Sequence, residues 1–259
     1  MSTRRSWILI GTLALAALGL FAGESLAARG EAGVLGGMNM ATLGGDADQF
    51  GEVLRASVSE SAGNDWSLET GRRLTVGGGG YVAFEVARGV FVQAELDYMP
   101  RGIKYSMAGT VEGYPTTMDV RMKLDYLELP LLVRVSPVSE GSLRPMLLAG
   151  PVAGLKVSSK LGVSASAGGA TQEVSQDMSG GLKSTYLGMI FGAGVEFPAG
   201  ERTTLMLQGR YTLGLTNVLD DPNFNMKVGD FHILAGIGFH FDLKPKGQDA
   251  APAGATPAP

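Results

Sequence analysis

Residues 231–243 read Phe231-His232-Ile233-Leu234-Ala235-Gly236-Ile237-Gly238-Phe239-His240-Phe241-Asp242-Leu243. Every odd-numbered position in this run is apolar, whereas the even-numbered positions include two histidines and an aspartate. This period of two predicts a β-strand with one apolar face and one face that can carry charge. Because the run closes with Phe239 and Phe241, it has the pattern of the last strand of an outer-membrane barrel.

Seven further runs upstream show the same alternation. They predict strands at residues 34–43, 73–86, 90–104, 121–136, 143–157, 183–197 and 203–215. The connections are alternately long, at 44–72, 105–120, 158–182 and 216–229, and short, at 87–89, 137–142 and 198–202. A barrel with one rim in the periplasm and the other rim outside the cell produces this alternation. We therefore predict an all-β fold, an eight-stranded antiparallel up-and-down transmembrane β-barrel, over residues 28–243.

The two ends of the chain do not have strand character. Residues 1–27 predict a cleaved signal peptide, with Arg4 and Arg5 before an apolar stretch and a small-residue cleavage site at Ser25-Leu26-Ala27. Residues 244–259 are rich in Pro, Ala and Gly, and they predict a disordered periplasmic tail. Export and the barrel pattern together predict a location in the outer membrane of a Gram-negative bacterium.

Composition excludes several classes of protein. The 259-residue chain contains no cysteine, which excludes disulfide frameworks and thiolate metal sites. Its net charge of −4, without a basic block, disfavours nucleic acid as a partner. We expect no cofactor and no metal. The expected partners are outer-membrane lipid and lipopolysaccharide, the barrel assembly machinery and other envelope proteins.

The polar faces of the predicted strands are expected to point into the barrel. A soluble lipocalin-like barrel would instead turn its polar face to water and crowd it with Lys and Glu. Here the polar face carries many glycines and small residues among its charges, which favours the narrow interior of a membrane barrel. The predicted interior acids are Glu85, Glu95, Asp97, Glu128, Glu196 and Asp242, and the predicted interior bases are Arg73, Arg134, Arg144, Lys156, Lys183 and Arg210.

Equal numbers of the two signs predict paired charges that plug the lumen. We expect Glu128 to lie near Arg144 or Lys156. We expect Arg134 to lie near Glu95 or Asp97. Which partner each residue has depends on the shear of the barrel, which the sequence does not specify.

Glycine and tyrosine are expected to shape the lumen. The run Gly77-Gly78-Gly79-Gly80 lies within a predicted strand and lacks the Lys-Ser/Thr ending of a phosphate-binding loop. We interpret it as a strongly coiled segment where side chains of neighbouring strands cross the lumen. Tyr81, Tyr126 and Tyr186 are candidates to fill the lumen, and aromatic residues that point outward are candidates for the membrane girdles.

A mid-chain segment carries a family resemblance. Asp125-Tyr126-Leu127-Glu128-Leu129-Pro130-Leu131-Leu132-Val133-Arg134 resembles the Tyr-Leu-Glu-Ile/Leu-Pro-Leu-Leu stretch of the PorT-like outer-membrane β-barrel family. Supporting matches follow in the expected order at residues 36–43, 149–151, 192–197 and 210–217. The resemblance implies a small outer-membrane barrel. The role of the founding member in protein secretion does not extend to the family at large.

The end of the final strand is a candidate assembly signal. Gly236, Phe239 and Phe241 resemble the glycine and alternating apolar residues that the assembly machinery reads in other barrels. Leu234 departs from this pattern, because a polar residue is usual at that position. We predict that Phe241→Ala lowers assembly more than Phe239→Ala.

The sequence favours a non-enzymatic function. A barrel that hydrolyses lipid would need Ser, His and an acid near the outer rim and facing lipid, whereas His232 and His240 are predicted to face the lumen. The leading hypothesis is a barrel that presents its long outer loops, above all 44–72, for binding, adhesion or envelope assembly. The alternatives are a narrow channel for small solutes, which needs unpaired and wetted lumen charges, and an accessory component of an outer-membrane protein secretion system.

Overall fold

The structure, a computed structural model, describes residues 29–62, 65–138, 141–177, 179–220 and 225–243. The predicted signal peptide at 1–27 and the predicted tail at 244–259 lie outside the described residues and stay predictions. The elements are β1 (Arg29–Gly45), α1 (Ala47–Ala62), β2 (Ser67–Ala87), β3 (Val90–Val111), β4 (Tyr114–Val135), β5 (Arg144–Ala167), β6 (Ala170–Asp177), a 3-10 helix (Ser179–Gly181), β7 (Thr185–Pro198), β8 (Thr203–Gly214) and β9 (Met226–Asp242).

Eight of the strands close into a ring. Their order is β1, β2, β3, β4, β5, β7, β8 and β9, each antiparallel to the next, and β9 pairs with β1. The closing pair runs from Arg29 opposite Asp242 to Gly45 opposite Met226. These eight strands correspond to the eight predicted ones, so the predicted all-β barrel class is confirmed.

The strands differ greatly in length. β7 and β8 have 14 and 12 residues, which is enough for a tilted crossing of a membrane. β2 to β5 have 21 to 24 residues, and the excess extends beyond the barrel by roughly 30 Å. The connection predicted at 105–120 is therefore a continuation of the β3–β4 hairpin. It turns at Glu112 and Gly113, whose φ angles of 51° and 85° match a type I′ turn.

β6 lies outside the ring. It pairs with the outer part of β5, from Lys160 opposite Asp177 to Ala167 opposite Ala170. With it, residues 67–72, 102–111, 114–123 and 160–167 form a five-stranded open sheet beyond the barrel, which we call the outer sheet. The described short turns at 88–89 and 199–202 lie at the opposite rim, together with both ends of the ring. Short turns and chain ends mark the periplasmic rim, so the outer sheet points out of the cell.

Helix α1 packs on the inward face of the outer sheet, against β1, β2 and β3. Phe50, Leu54 and Val58 recur every fourth residue and pack against the apolar core, as an amphipathic helix does. The Tyr105 hydroxyl donates a hydrogen bond of 2.7 Å to the carbonyl of Ala47, at the start of the helix. The helix occupies most of the first half of the connection predicted as the loop 44–72. Among the described residues, no helix is long and apolar enough to cross a membrane.

Aromatic residues mark both edges of the apolar belt around the ring. Tyr98, Tyr211 and Phe231 are exposed toward the outer sheet, and Phe197 and Phe241 are exposed toward the periplasmic rim. Ten residues of β9 separate Phe231 from Phe241, which is about 23 Å of height for a strand tilted by roughly 45°. This height matches the apolar band of about 25 Å that outer-membrane barrels present to lipid.

Candidate functional site

The lumen near the outer rim holds an arginine between two acids. The guanidinium of Arg101 donates a hydrogen bond to Glu128 and pairs with Asp230, and all three side chains are almost wholly buried. Arg101 also donates to the Tyr186 hydroxyl at 3.0 Å, and its guanidinium lies 5.2 Å from the centroid of that ring. The predicted partners of Glu128 were wrong, because Glu128 pairs with Arg101, Arg144 lies opposite Glu196 near the periplasmic rim, and Lys156 donates to the Leu182 carbonyl.

A second cluster lies at mid-height. Arg210 on β8 donates two hydrogen bonds to Glu95 on β3, at 2.6 and 2.8 Å. Gln93 also donates to Glu95. Asp97 lies two residues from Glu95 on the same buried face of β3. The bidentate geometry holds β3 against β8 across the lumen.

A third cluster lies near the periplasmic rim. Arg134 on β4 pairs with Glu31 on β1 and with Glu196 on β7, at 3.4 Å for the second pair. Tyr81 donates its hydroxyl hydrogen to Glu31. The predicted pairing of Arg134 with Glu95 or Asp97 was wrong. In the register of β3 and β4, Arg134 lies opposite Phe91, close to the periplasmic turn, and Glu95 lies farther toward the outside.

The other predicted lumen residues lie at the ends of the ring. Glu85 is half-buried and accepts a hydrogen bond from the amide of Gly89 in the turn after β2. Arg144 is half-buried at the start of β5, opposite Glu196. Lys156 donates to the Leu182 carbonyl at 2.8 Å, at the outer rim. Asp242 is exposed at the periplasmic end of β9, so its placement in the lumen was wrong.

The signs of the buried charges are not balanced. Among the described residues, the buried acids are Glu31, Glu95, Asp97, Glu128, Glu196 and Asp230, and the buried arginines are Arg101, Arg134 and Arg210. The expectation of equal numbers was therefore wrong. Three charged residues of the clusters, Arg101, Glu31 and Asp230, were not predicted as lumen residues from the sequence. Arg101 lies on the same face of β3 as Glu95 and Asp97, so the alternation of the sequence could have identified it as a lumen residue.

One side of the lumen is apolar. Leu132, Leu148, Val152 and Ile190 are buried on β4, β5 and β7. Tyr126 and Tyr186 are also buried there, with ring centroids 5.0 Å apart in an edge-to-face arrangement. The aromatic filling expected of Tyr81, Tyr126 and Tyr186 is confirmed, since all three are buried. The lumen is thus closed by packed apolar side chains as well as by ion pairs.

The glycine run makes room for side chains from β3. A Cβ at Gly77 would collide with Met99, and a Cβ at Gly79 would collide with Asp97 and the backbone of Leu96. At Gly80, by contrast, the nearest atom to such a Cβ is 3.6 Å away. The interpretation of this run as a place where neighbouring side chains cross the lumen is confirmed.

The two histidines face the lumen and lie beside threonines of β8. His232 Nε2 lies 3.1 Å from the Thr212 hydroxyl, and His240 Nε2 lies 2.7 Å from the Thr204 hydroxyl. Neither contact contains the serine nucleophile of a hydrolase. Within the described residues, no group of three or more His, Cys, Asp or Glu side chains is arranged to hold a metal ion.

The outer sheet reverses the polarity of the barrel. Its outward face is charged, and Asp119 there contacts Lys104 at 3.1 Å and Arg121 at 2.9 Å. Burial alone would raise the pKa of Asp119, but a hydrogen bond from Ser106 and the two cations hold this pKa below its usual range. Its inward face is apolar. One row across β3, β4, β5 and β6 consists of Tyr105, Val120, Val163 and Val174.

Comparison with known proteins places the chain in a family. The profile of the family described as "Outer membrane protein beta-barrel domain" matches residues 23–220, which is more than half of the chain. The chain belongs to this family. The protein is accordingly an outer-membrane β-barrel, as its closed ring and apolar belt require. A search of curated proteins found no match.

Solved outer-membrane barrels resemble the chain distantly. The N-terminal β-barrel domain of OprF from Pseudomonas aeruginosa is 13% identical, with 84% of this chain and 100% of that chain covered and a TM-score of 0.38. Neisserial surface protein A is 11% identical, with 84% and 100% covered and a TM-score of 0.40. The outer membrane protease OmpT from Escherichia coli is 11% identical, with 85% and 100% covered and a TM-score of 0.40.

Proposed function

We propose that the protein is a non-enzymatic outer-membrane scaffold whose outer sheet binds an extended segment of another protein by strand addition at β6. The observation that carries this proposal is the free edge of β6. Within the described part of the chain, β6 pairs with β5 alone, and all eight of its residues are exposed. An exposed edge presents unpaired backbone N–H and C=O groups that another strand can bind.

The composition of β6 leaves this edge open. Natural sheets protect their edges with charged side chains, lysine above all, with proline or with a bulge. β6 reads Ala170-Thr171-Gln172-Glu173-Val174-Ser175-Gln176-Asp177, with two acids but no lysine, proline or bulge. Val174, 65% exposed, ends the apolar row that begins under α1 at Tyr105. Glu173 and Asp177 give the other face of β6 a negative charge. A segment that alternates apolar and basic residues would complement both faces.

The packed lumen supports binding over conduction. A channel needs a continuous wet path, whereas the lumen contains three buried arginine–acid clusters and a set of packed apolar side chains. Helix α1 also packs against the apolar cluster that continues from the lumen into the outer sheet. The narrow-channel alternative therefore lacks a supporting observation. Adhesion and envelope assembly are both compatible with strand addition at β6.

Three finer assignments remain part of this proposal. We assign the chain to the PorT-like subgroup on the segment around Leu129-Pro130-Leu131, without assigning it a secretion role. We assign residues 1–27 to a signal peptide that directs export and is then cleaved. We propose that the barrel assembly machinery recognises Gly236, Phe239 and Phe241 when it assembles the barrel.

The experiment that tests strand addition uses a backbone substitution at the free edge. In a two-residue hairpin the flanking residues, here Ala167 and Ala170, form a hydrogen-bonded pair, and the pairs then alternate. The amide of Ser175 therefore points to the free edge. Ser175→Pro removes that donor without breaking the β5–β6 ladder, and Ser175→Ala is the matched control that keeps it.

The probe is a fluorescent ten-residue peptide that alternates lysine and valine, added to the purified protein in lipid nanodiscs. We expect saturable binding by the wild type and by Ser175→Ala, and binding about tenfold weaker by Ser175→Pro. Equal binding by the proline variant, or failure of the wild type to bind, would contradict the proposal. A dimer that Ser175→Pro abolishes would identify a second copy of the chain as the occupant instead.

A further inference from the structure

The apolar row on the inward face of the outer sheet becomes more exposed from strand to strand. Tyr105 on β3 is 0% exposed, and its neighbour Val120 on β4 is 8% exposed. Next along the row, Val163 on β5 is half-buried, and Val174 on β6 is 65% exposed. The inward face is therefore covered at β3 and uncovered toward β6.

Helix α1 accounts for the covered part of this face. Two hydrogen bonds fix one flank of the helix beside the start of β2, since Arg55 donates to the Trp66 carbonyl at 3.4 Å and the Trp66 amide donates to the Ser59 hydroxyl at 3.3 Å. With about 3.6 residues per turn, Val53 and Ser57 lie on the opposite flank of the helix. That flank faces β4, β5 and β6, and Val53 is 48% exposed there.

A groove remains between α1 and the free edge of β6. Its floor consists of Met118, Leu161 and Val163, which are half-buried, and its two sides carry Val53 and Val174. Three strand spacings separate β3 from β6, which is about 14 Å. An α-helix with its side chains is about 10 Å wide. The groove is therefore apolar and has room for one helix beside α1.

The chain itself contains the arrangement that would cover such a face. Helix α1 ends at Ala62, and the edge strand β2 begins at Ser67, so a helix on the inward face is joined to an edge strand by a short connection. A partner strand added at β6 would form the opposite edge of the sheet. An equally short connection would place a helix of the same partner in the groove, where it would complete the helical layer that α1 begins.

We propose that the partner segment that pairs with β6 continues into an amphipathic helix, and that this helix occupies the groove between α1 and β6. Its apolar side contacts Leu161, Val163 and Val53. Glu60 is exposed on the same flank of α1 as Val53, so basic residues at the margin of the partner helix complement it. The inference rests on strand addition at β6 and adds a second element to the partner.

The test compares peptides that share one strand. The strand peptide is the lysine–valine peptide described above. The strand–helix peptide continues it through a short glycine–serine connection into a helix of about 14 residues, with leucine on one face and lysine on the other. A control peptide has the same composition, with its helical residues reordered so that no apolar face forms. Each peptide is titrated against the purified full-length protein in phosphatidylcholine nanodiscs, and binding to empty nanodiscs is subtracted.

We expect the strand–helix peptide to bind the wild type about 30-fold more tightly than the strand peptide or the control peptide. Val53→Lys places a charge in the side of the groove, so it should remove this gain and leave binding of the strand peptide unchanged. Val138→Lys makes the same change at an exposed position after β4, at the periplasmic rim, and should keep the gain.

A disulfide measurement locates the bound helix. The chain contains no cysteine, so Ser57→Cys introduces a single thiol on the groove flank of α1, and Glu52→Cys introduces one on an exposed side away from the groove. A strand–helix peptide with one cysteine on its helix is expected to form a disulfide with the Ser57 variant in a glutathione redox buffer, and not with the Glu52 variant.

The outcomes separate this inference from strand addition. Equal affinity of the strand and strand–helix peptides, a gain that survives Val53→Lys, or equal disulfide formation by the two cysteine variants would overturn the helix in the groove and leave strand addition standing. A strand peptide that does not bind the wild type would overturn strand addition and this inference with it.

Discussion

The two halves of strand β4 carry opposite patterns. In the membrane half, Leu131 and Val133 face outward and are exposed, whereas Glu128 and Arg134 face the lumen and are buried. In the half that belongs to the outer sheet, the charged residues face outward and the apolar Val120, Met122 and Leu124 face inward and are buried. The reversal occurs at about Asp125. The outward-facing residues of β4 are therefore apolar in the half that faces lipid and charged in the half that faces water.

The membrane half and the outer sheet also differ in whether their polar groups are paired. In the membrane half, the inward-facing charged residues of β3, β4 and β8 form ion pairs with one another. In the outer sheet, β6 pairs with β5 alone among the described strands, and its other backbone edge remains open. We infer that the barrel holds the sheet in place and that recognition occurs on the sheet.

The largest expected effect is loss of a lumen ion pair. Glu128→Ala leaves Arg101 in the lumen without one of its two acids, and breaking a buried pair costs about 4 kcal/mol. Asp220→Ala, at an exposed position near the outer mouth, should change stability by less than about 0.5 kcal/mol. Urea midpoints of the two refolded variants in detergent measure the difference. Equal midpoints would mean that the lumen is wet and that its charges behave like surface charges.

A second prediction tests the position of the polarity reversal. Leu131→Arg places a charge on the lipid-facing side near the middle of the membrane half and should cost about 3 kcal/mol. Thr117→Arg places the same side chain on the same face of β4, but in the outer sheet, and should be close to neutral. Folding free energies measured in lipid vesicles compare the two. A similar cost for both variants would place the membrane boundary elsewhere.

The share of the fold that the sequence predicts differs between the membrane half and the outer sheet. In the membrane half, alternation predicted the ring strands because their lipid-facing side is apolar, although the pattern is weaker over 143–157, where Pro145 and Pro151 interrupt it. In β6, polar residues such as Gln172 and Glu173 occupy both faces, so no alternation exists to detect. Helix α1 was missed although Phe50, Leu54 and Val58 carry its period, because the segment was interpreted only as a connection between strands. The partners of Glu128 and Arg134 lie on other strands, β3, β1 and β7, and the pattern of a single strand does not contain the register or the closure of the ring that brings them together.

A smaller effect is expected where the glycine run meets β3. Gly79→Ala would force a Cβ against Asp97 and the Leu96 carbonyl, and such overpacking costs about 2 kcal/mol. Gly80→Ala, one residue away and on the outward face, has open space and should be tolerated. The thermal unfolding midpoints of both variants, read from heat-modifiable mobility on a gel, are the measurement. A Gly80 variant as unstable as the Gly79 variant would show that backbone freedom, and not lumen packing, explains the run.

The smallest expected effect concerns the periplasmic seam, the end of the barrel farthest from the outer sheet. Phe241 packs edge-to-face on Phe84, with centroids 6.5 Å apart, and covers Gly30 of β1. Phe239 is more exposed, at 53% compared with 37%. Phe241→Ala should therefore lower stability by about 1 kcal/mol more than Phe239→Ala, and should leave less folded barrel in the outer membrane. Comparable folded fractions for the two variants, measured by gel mobility of outer-membrane preparations, would refute this difference.

A measurement of conductance tests most directly whether the lumen of the barrel is closed, which is the central claim about the membrane half. Purified full-length protein is incorporated into a planar lipid bilayer, with a general porin as the positive control, and the current is recorded under an applied voltage. Because ion pairs and apolar side chains fill the lumen, we predict no discrete conductance steps. Reproducible steps from the wild-type protein would contradict a closed lumen and would make a solute channel the leading function.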